Sequence, residues 1–190
     1  MRGLLVALLL IFPVACTEAA STSARPAVMQ WDHRPEGTMW TQAALGALST
    51  HGAALPSTVP QDIETWCPGY EDASVEERRL FWAGLLSALA KHESTWRPEA
   101  AGGGGRWIGL LQIAPATARG YGCKATSVAE LKNGAANLAC AIRIMSRTVP
   151  RDGVVAAGGG GIAADWGPFT RAAKRAEMAS WVRAQPYCTA

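Results

Sequence analysis

No Cys-x-x-Cys pair occurs in these 190 residues, although five cysteines do. That absence removes both the thioredoxin-like redox motif and the zinc knuckle. Histidine is scarce, with only His33, His51 and His92. His92-Glu93 opens like a zinc-protease helix, but Trp96 stands where the second histidine ligand belongs, so no metal site is expected. The glycines at 102–105 are not followed by Lys-Ser or Lys-Thr, which excludes a phosphate-cradling loop. No strand-like alternation and no internal repeat are visible. The net charge of +3 is not gathered into a basic stripe, which argues against nucleic acid and suits an anionic polymer only weakly. No cofactor is implied.

What is present begins with a leader. Met1-Arg2-Gly3 and the apolar run from Leu4 to Val14 have the order of a signal peptide and are too short to span a bilayer. Ala15-Cys16 follows, like the end of a lipobox with Pro13 where Leu is usual. The expectation is an exported, periplasmic protein, anchored through a lipidated Cys16. Simple secretion with cleavage a few residues later is the alternative. An odd cysteine count in an exported chain fits the first reading. Setting Cys16 aside leaves Cys67, Cys123, Cys140 and Cys188, which allow three pairings. Cys123–Cys140 and Cys67–Cys188 are the favoured ones, the second tying together the two ends of a domain.

The division expected is 1–16 leader, 17–66 tether and N-terminal extension, and 67–190 the domain proper. Residues 37–49 read as a helix and 50–71 as loop. Ser74-Val75-Glu76-Glu77 is a capping box, and Ser127-Val128-Ala129-Glu130 a second. From the first box runs a helix that Pro98 should stop near Trp96. Pro115 suits the first position of a short helix, and 135–149 and 170–184 read as two more. The domain is therefore mainly α, with little or no β.

Glu93 stands out within this frame. It lies four residues after Leu89, seven after Leu86 and eleven after Trp82, on the stripe that should face the core. Burial disfavours a carboxylate, so its pKa should lie above the ordinary value, as a proton donor near neutral pH requires. Taken alone, such a glutamate is more often a structural, paired residue. Its neighbours change the reading: Ser94, Pro98, Gly109-Leu110-Leu111-Gln112-Ile113, Pro115, Thr117-Ala118 and Asn137-Leu138. With Glu93, these resemble the lytic transglycosylases of the soluble type, whose fold is akin to goose-type lysozyme. The resemblance spans roughly residues 70–170. Two positions depart from it: Leu111 replaces a usual Met, and Gly161 to Phe169 stands where an Ala-x-x-Asn-Ala-Gly segment is usual.

The resemblance implies a lysozyme-like helical domain with a groove for peptidoglycan strands. It implies cleavage of the β-1,4 bond between N-acetylmuramic acid and N-acetylglucosamine, Glu93 acting as acid and then base to leave a 1,6-anhydro end. A lysozyme-type hydrolase on the same fold and a non-catalytic wall-binding lipoprotein are the alternatives. Asp165 is the foremost second carboxylate for hydrolysis, Asp152 a weaker one. Ser94 can bond the sugar or cap the helix end. Gln112 can bond an acetamido group or satisfy backbone groups. Gly109 permits close backbone approach. Trp96, Trp107, Tyr121 and Trp166 are candidate sugar platforms, with Tyr121 and Trp166 preferred. A monomer is expected, with membrane contact only through Cys16.

Overall fold

A computed structural model describes residues 28–189. The leader and Cys16 lie outside the described residues. Among these residues the fold is mainly helical, with 59% helix and 3% strand. Among the described residues there are eight α-helices: α1 Gly37–Leu48, α2 Ala54–Ser57, α3 Ile63–Trp66, α4 Val75–Ser94, α5 Pro115–Gly120, α6 Val128–Leu131, α7 Gly134–Asp152 and α8 Ala172–Arg183, with short 3-10 turns between α7 and α8 and after α8. One hairpin, β1 Ala101–Gly102 and β2 Trp107–Ile108, lies between α4 and α5.

The organising element is α4. Its capping box forms as expected: the Ser74 Oγ accepts from the Glu77 amide at 3.3 Å, and the Glu77 carboxylate accepts from the Ser74 amide at 2.8 Å. The helix is embedded on more than one side. Phe81, Trp82, Leu85, Leu86 and Leu89 are buried, and so are Ala83, Gly84, Ala88 and Ala90. The small residues let other elements come close; a Cβ on Gly84 would collide with the Tyr187 hydroxyl. α8, α2 and α1 all pack on α4. The helix ends at Ser94, slightly earlier than Pro98 alone would dictate. Thr95 and Trp96 both adopt left-handed backbone, with φ of 52° and 53°, and turn the chain sharply.

The core runs across residue 67 without a break. Met29, Trp31, Trp40, Leu48 and Leu55 share one cluster with α4 and α7. Trp31 meets Trp40 edge to face at 6.0 Å, and the Gln30 amide donates to Ser87 Oγ of α4 at 3.0 Å. Trp31 and Trp40 are thus packing residues of the core. The 50–71 stretch, expected as loop, contains α2 and α3. Each is only four residues long, too short for hydrophobic periodicity to register. The glycines at 102–105 form the tip of the hairpin; Gly103, Gly104 and Gly105 all have positive φ. Both favoured disulfides are present, Cys67–Cys188 and Cys123–Cys140, with Cα separations of 4.7 and 5.2 Å.

α7 carries the residue that ties the 108–111 segment to the end of α6. Asn137 is fully buried. Its Nδ2 donates to the carbonyls of Ile108 and Leu131, each at 2.9 Å, and its Oδ1 accepts from the Leu111 amide at 3.0 Å. One side chain thereby satisfies three backbone groups that have no water to turn to. Gly109 makes room for it. At φ 83°, a Cβ there would strike the Leu131 carbonyl and the Asn137 amide.

Asn137→Ala should therefore cost about 3 kcal/mol, read as a fall in Tm of roughly 10 °C. Denaturant and thermal unfolding check this. A loss below about 1 kcal/mol would mean that the freed groups find other partners.

Candidate active site

Glu93 occupies the last turn of α4, where the helix leaves the core and enters a cleft. Its carboxyl is pushed up to about 7, chiefly by burial; the ammonium of Lys174 acts the other way. Two cavities flank it. The first, about 400 Å³, is lined by His92, Glu93, Trp107, Gln112, Asp165 and Trp166, with Arg171, which precedes α8, and Lys174 in its first turn also lining it. The second, about 390 Å³, is bounded by Glu93, Arg97, Glu99, Gln112 and the first strand of the hairpin. Glu93 and Gln112 are common to both, so they stand at the waist of one groove.

Gln112 reaches this position through a strained backbone, with φ of 49°. Its Nε2 donates to the Gly109 carbonyl at 2.8 Å and to the Ala100 carbonyl at 3.3 Å. The side chain lines the groove and satisfies backbone groups at once. The segment that presents it is held at several points. Gly109 N donates to Ala100 O at 2.8 Å, Ile108 and Ile113 exchange backbone bonds at 2.9 and 3.1 Å, and Leu111 O accepts from Trp166 Nε1 at 2.8 Å.

Several expected roles change. Ser94 does not reach the groove. It is buried, its Oγ donates to the Ala90 carbonyl and accepts from the Arg97 amide at 3.2 Å, and its task is to finish the helix. Gly109 makes its close approach to Asn137 and Leu131 rather than to a ligand. Trp166 is only 4% exposed, so it offers the groove an edge while its ring nitrogen secures the Gln112 loop. Tyr121 stands behind Asp165, donating its hydroxyl to Oδ2 at 3.3 Å, and does not line either cavity beside Glu93. The aromatic face in the groove belongs to Trp107, 44% exposed at the base of the hairpin. Trp96 donates its ring N–H to the Ser87 carbonyl at 2.9 Å and packs edge-on to His33.

Of the two further carboxylates, Asp165 lines the first cavity with Glu93, and its own pKa is raised, chiefly by desolvation. Asp152 is held at about 2 by hydrogen bonds from Arg151 and the Gly161 amide, and serves the loop. His92 lines the cavity near Glu177, and burial lowers its pKa. Among the described residues, no group of three or more His, Cys, Asp or Glu side chains is placed to hold a metal ion. Arg171 and Lys174 were not foreseen as site residues. Their spacing on a polar helix says nothing about what that helix faces.

The site is thus one desolvated glutamate at the waist of a groove in a helical fold. Residues 73–160 match the family model described as Transglycosylase SLT domain. The helix that bears Glu93, the Gln112 segment and Asn137 all fall within this matched stretch, over which the chain is similar to that family. Among solved structures, it is similar to a glutamate-to-glutamine mutant of Bd0314 DslA, with TM-score 0.79 and 28% identity, covering 87% of this chain and 100% of that one. Wild-type Bd0314 DslA, form 2, matches with TM-score 0.77, at the same identity and coverage. A comparison with curated proteins gives no match.

The raised Glu93 pKa has a consequence for stability. The folded protein holds this proton more tightly than the unfolded chain does. The contribution is fully present below about pH 4.5 and is lost as the pH rises through about 7. The stability of wild type relative to Glu93→Gln should fall across that window in denaturant titrations. A difference that stays flat between those pH values would mean that Glu93 ionises like a solvent-exposed carboxyl.

Proposed function

We propose that the protein cleaves the β-1,4 bond between N-acetylmuramic acid and N-acetylglucosamine without water, leaving a 1,6-anhydromuramyl end. The observation that carries this reading is the single desolvated carboxyl of Glu93, shared by both cavities of the groove. Protonated Glu93 donates to the bridging oxygen as the C1–O bond breaks, and N-acetylglucosamine departs with a free 4-hydroxyl. The muramyl acetamido oxygen steadies the positive charge that develops at C1. Glu93, now a carboxylate, takes the proton of the C6 hydroxyl of the same sugar. O6 bonds to C1, and the enzyme regains its starting protonation state. Both bond changes lie within one bound sugar, so the second is an intramolecular attack with a large advantage of proximity.

Raised pKa and role agree: a carboxyl titrating near 7 is balanced between donating and accepting. Gln112 can bond an acetamido group from the opposite side of the waist, and Trp107 can carry a sugar face. Hydrolysis is the second reading, favoured by one observation, the presence of Asp165 in the same cavity. A water held there could attack C1 in place of O6.

This reading extends to location. Two disulfides fit an oxidising compartment, and the leader and Cys16 fit export with a lipid tether. The functional unit would be a monomer acting on the wall outside the cytoplasm.

The test is mass spectrometry of fragments released from purified peptidoglycan by wild type and by Glu93→Gln. Wild type should release muramyl ends lighter by one water than reducing ends, and Glu93→Gln should release none while keeping its fold. Reducing ends from wild type would establish the hydrolase. Equal release by both proteins would remove Glu93 from the chemistry.

A further inference from the structure

The segment that presents Asp165 and Trp166 to the first cavity is held by a residue that lines neither cavity beside Glu93. Asp62, just ahead of α3, spreads its carboxylate over three consecutive amides. Its Oδ1 accepts from Val155, and its Oδ2 accepts from Ala156 at 3.0 Å and Ala157 at 2.9 Å. The Trp66 ring N–H donates to the same Oδ2 at 3.4 Å. Among the described residues Asp62 belongs to no ion pair, so backbone dipoles answer its charge. The grip is passed on. Val155 O accepts from the Ile162 amide at 2.8 Å, and Ile162 O accepts from the amides of Asp165 and Trp166 at 3.2 and 3.0 Å. Trp166 Nε1 in turn donates to Leu111 O, next to Gln112. Val155, Ile162 and Trp166 are buried, so a lost bond in this chain is not replaced by water. Beyond Trp166, α3 takes hold again, where Trp66 packs against Phe169 with ring centroids 5.5 Å apart.

We propose that Asp62 is a positioning residue of the groove: it sets where Asp165 and Trp166 stand and, through Trp166, steadies the loop that carries Gln112. The inference rests on the peptidoglycan reading above for what the groove binds. The stretch 153–161 needs such an anchor. It holds five glycines, four of them in a row, and has little stiffness of its own. A carboxylate suits the task because both of its oxygens accept, and several amides can share them. An asparagine at 62 would turn an NH2 group toward amides that need an acceptor. Glu93 stands on α4, outside this chain of bonds. The groups that depend on Asp62 are those that line the cavity, so its loss weakens binding more than it slows the chemical step.

The experiment measures steady-state release of muramyl ends from soluble, uncrosslinked peptidoglycan strands by wild type, Asp62→Asn, Trp166→Phe and the double variant. Asp62→Asn should raise KM about tenfold, with kcat within about twofold of wild type. Asp62→Glu keeps the charge and shifts it by one methylene; it should show the same rise in smaller measure, and it serves if the Asn variant does not fold. Trp166→Phe keeps a ring and removes the bond to Leu111. The double variant should lose little more than the worse single one, because both changes break one path. Fully additive losses would overturn the path through Trp166. Thr41→Ala controls for stability alone: it takes the acceptor from Trp31 Nε1 on α1, a helix that lines neither cavity, and should lower Tm with KM unchanged. A similar KM rise in this control, or a folded Asp62→Asn with wild-type KM, would overturn the positioning role. Hydrogen exchange gives a readout that needs no activity. Asp62→Asn should speed exchange at residues 162–166 as well as at 155–157, and acceleration confined to 155–157 would count against the proposal. Failure of wild type to release any ends would sink the peptidoglycan reading, while exchange would still decide what Asp62 holds in place.

Discussion

The groove depends on one buried amide. Asn137 lies on α7, far along the chain from Glu93, and it anchors the wall that carries Gln112. By holding Ile108, Leu111 and Leu131 together, it fixes the 109–113 segment on which Gln112 is carried. Gln112 can keep its left-handed backbone only because that segment cannot relax: Asn137 binds it from below and Trp166 from the side. A catalytic glutamate at a helix end is of little use without an opposing wall. The opposing wall here is a loop made rigid by side chains from two other elements.

Electrostatics at the waist are a contest between burial and charge. Burial raises the Glu93 pKa, Lys174 lowers it, and burial wins because the carboxyl emerges directly from the packed end of α4. The small residues of α4 matter to this result. Ala83, Gly84, Ala88 and Ala90 draw neighbouring elements close enough to embed the helix on several sides, and the protection reaches as far as its last turn. Chemistry at the tip of α4 is thus inherited from packing along its length.

Local rules were legible wherever a few adjacent residues decide the outcome. Ser74 and Ser127 declare capping boxes, Pro115 opens a helix, and Glu93 falls in register with Leu89, Leu86 and Trp82. The cysteine pairings were the favoured choice among three, and the structure forms that choice. What could not be read depends on contacts between distant elements. Ser94 looks like a site residue by adjacency to Glu93, but a rotation of 100° per residue turns it into the helix end rather than the groove. Tyr121 and Trp166 have the right chemistry for sugars, yet tertiary structure spends one on Asp165 and the other on Leu111. Trp107 gains its place from a hairpin too short to leave an alternating pattern. Arg171 and Lys174 owe theirs entirely to the way α8 packs across α4.

The Cys67–Cys188 bond has a topological meaning beyond stabilisation. It closes nearly everything from α4 to the last turn into a covalent ring, with a separation of 121 residues along the chain. The part of that ring most open to a protease is the run of glycines at the hairpin tip, where a Cβ on Gly104 or Gly105 would meet nothing. A single cut there opens the ring without dividing the molecule. The segment bearing Glu93 and the segment bearing Gln112 remain one covalent body, held as well by the shared core. The most exposed backbone of the groove can therefore be nicked while its two walls stay together.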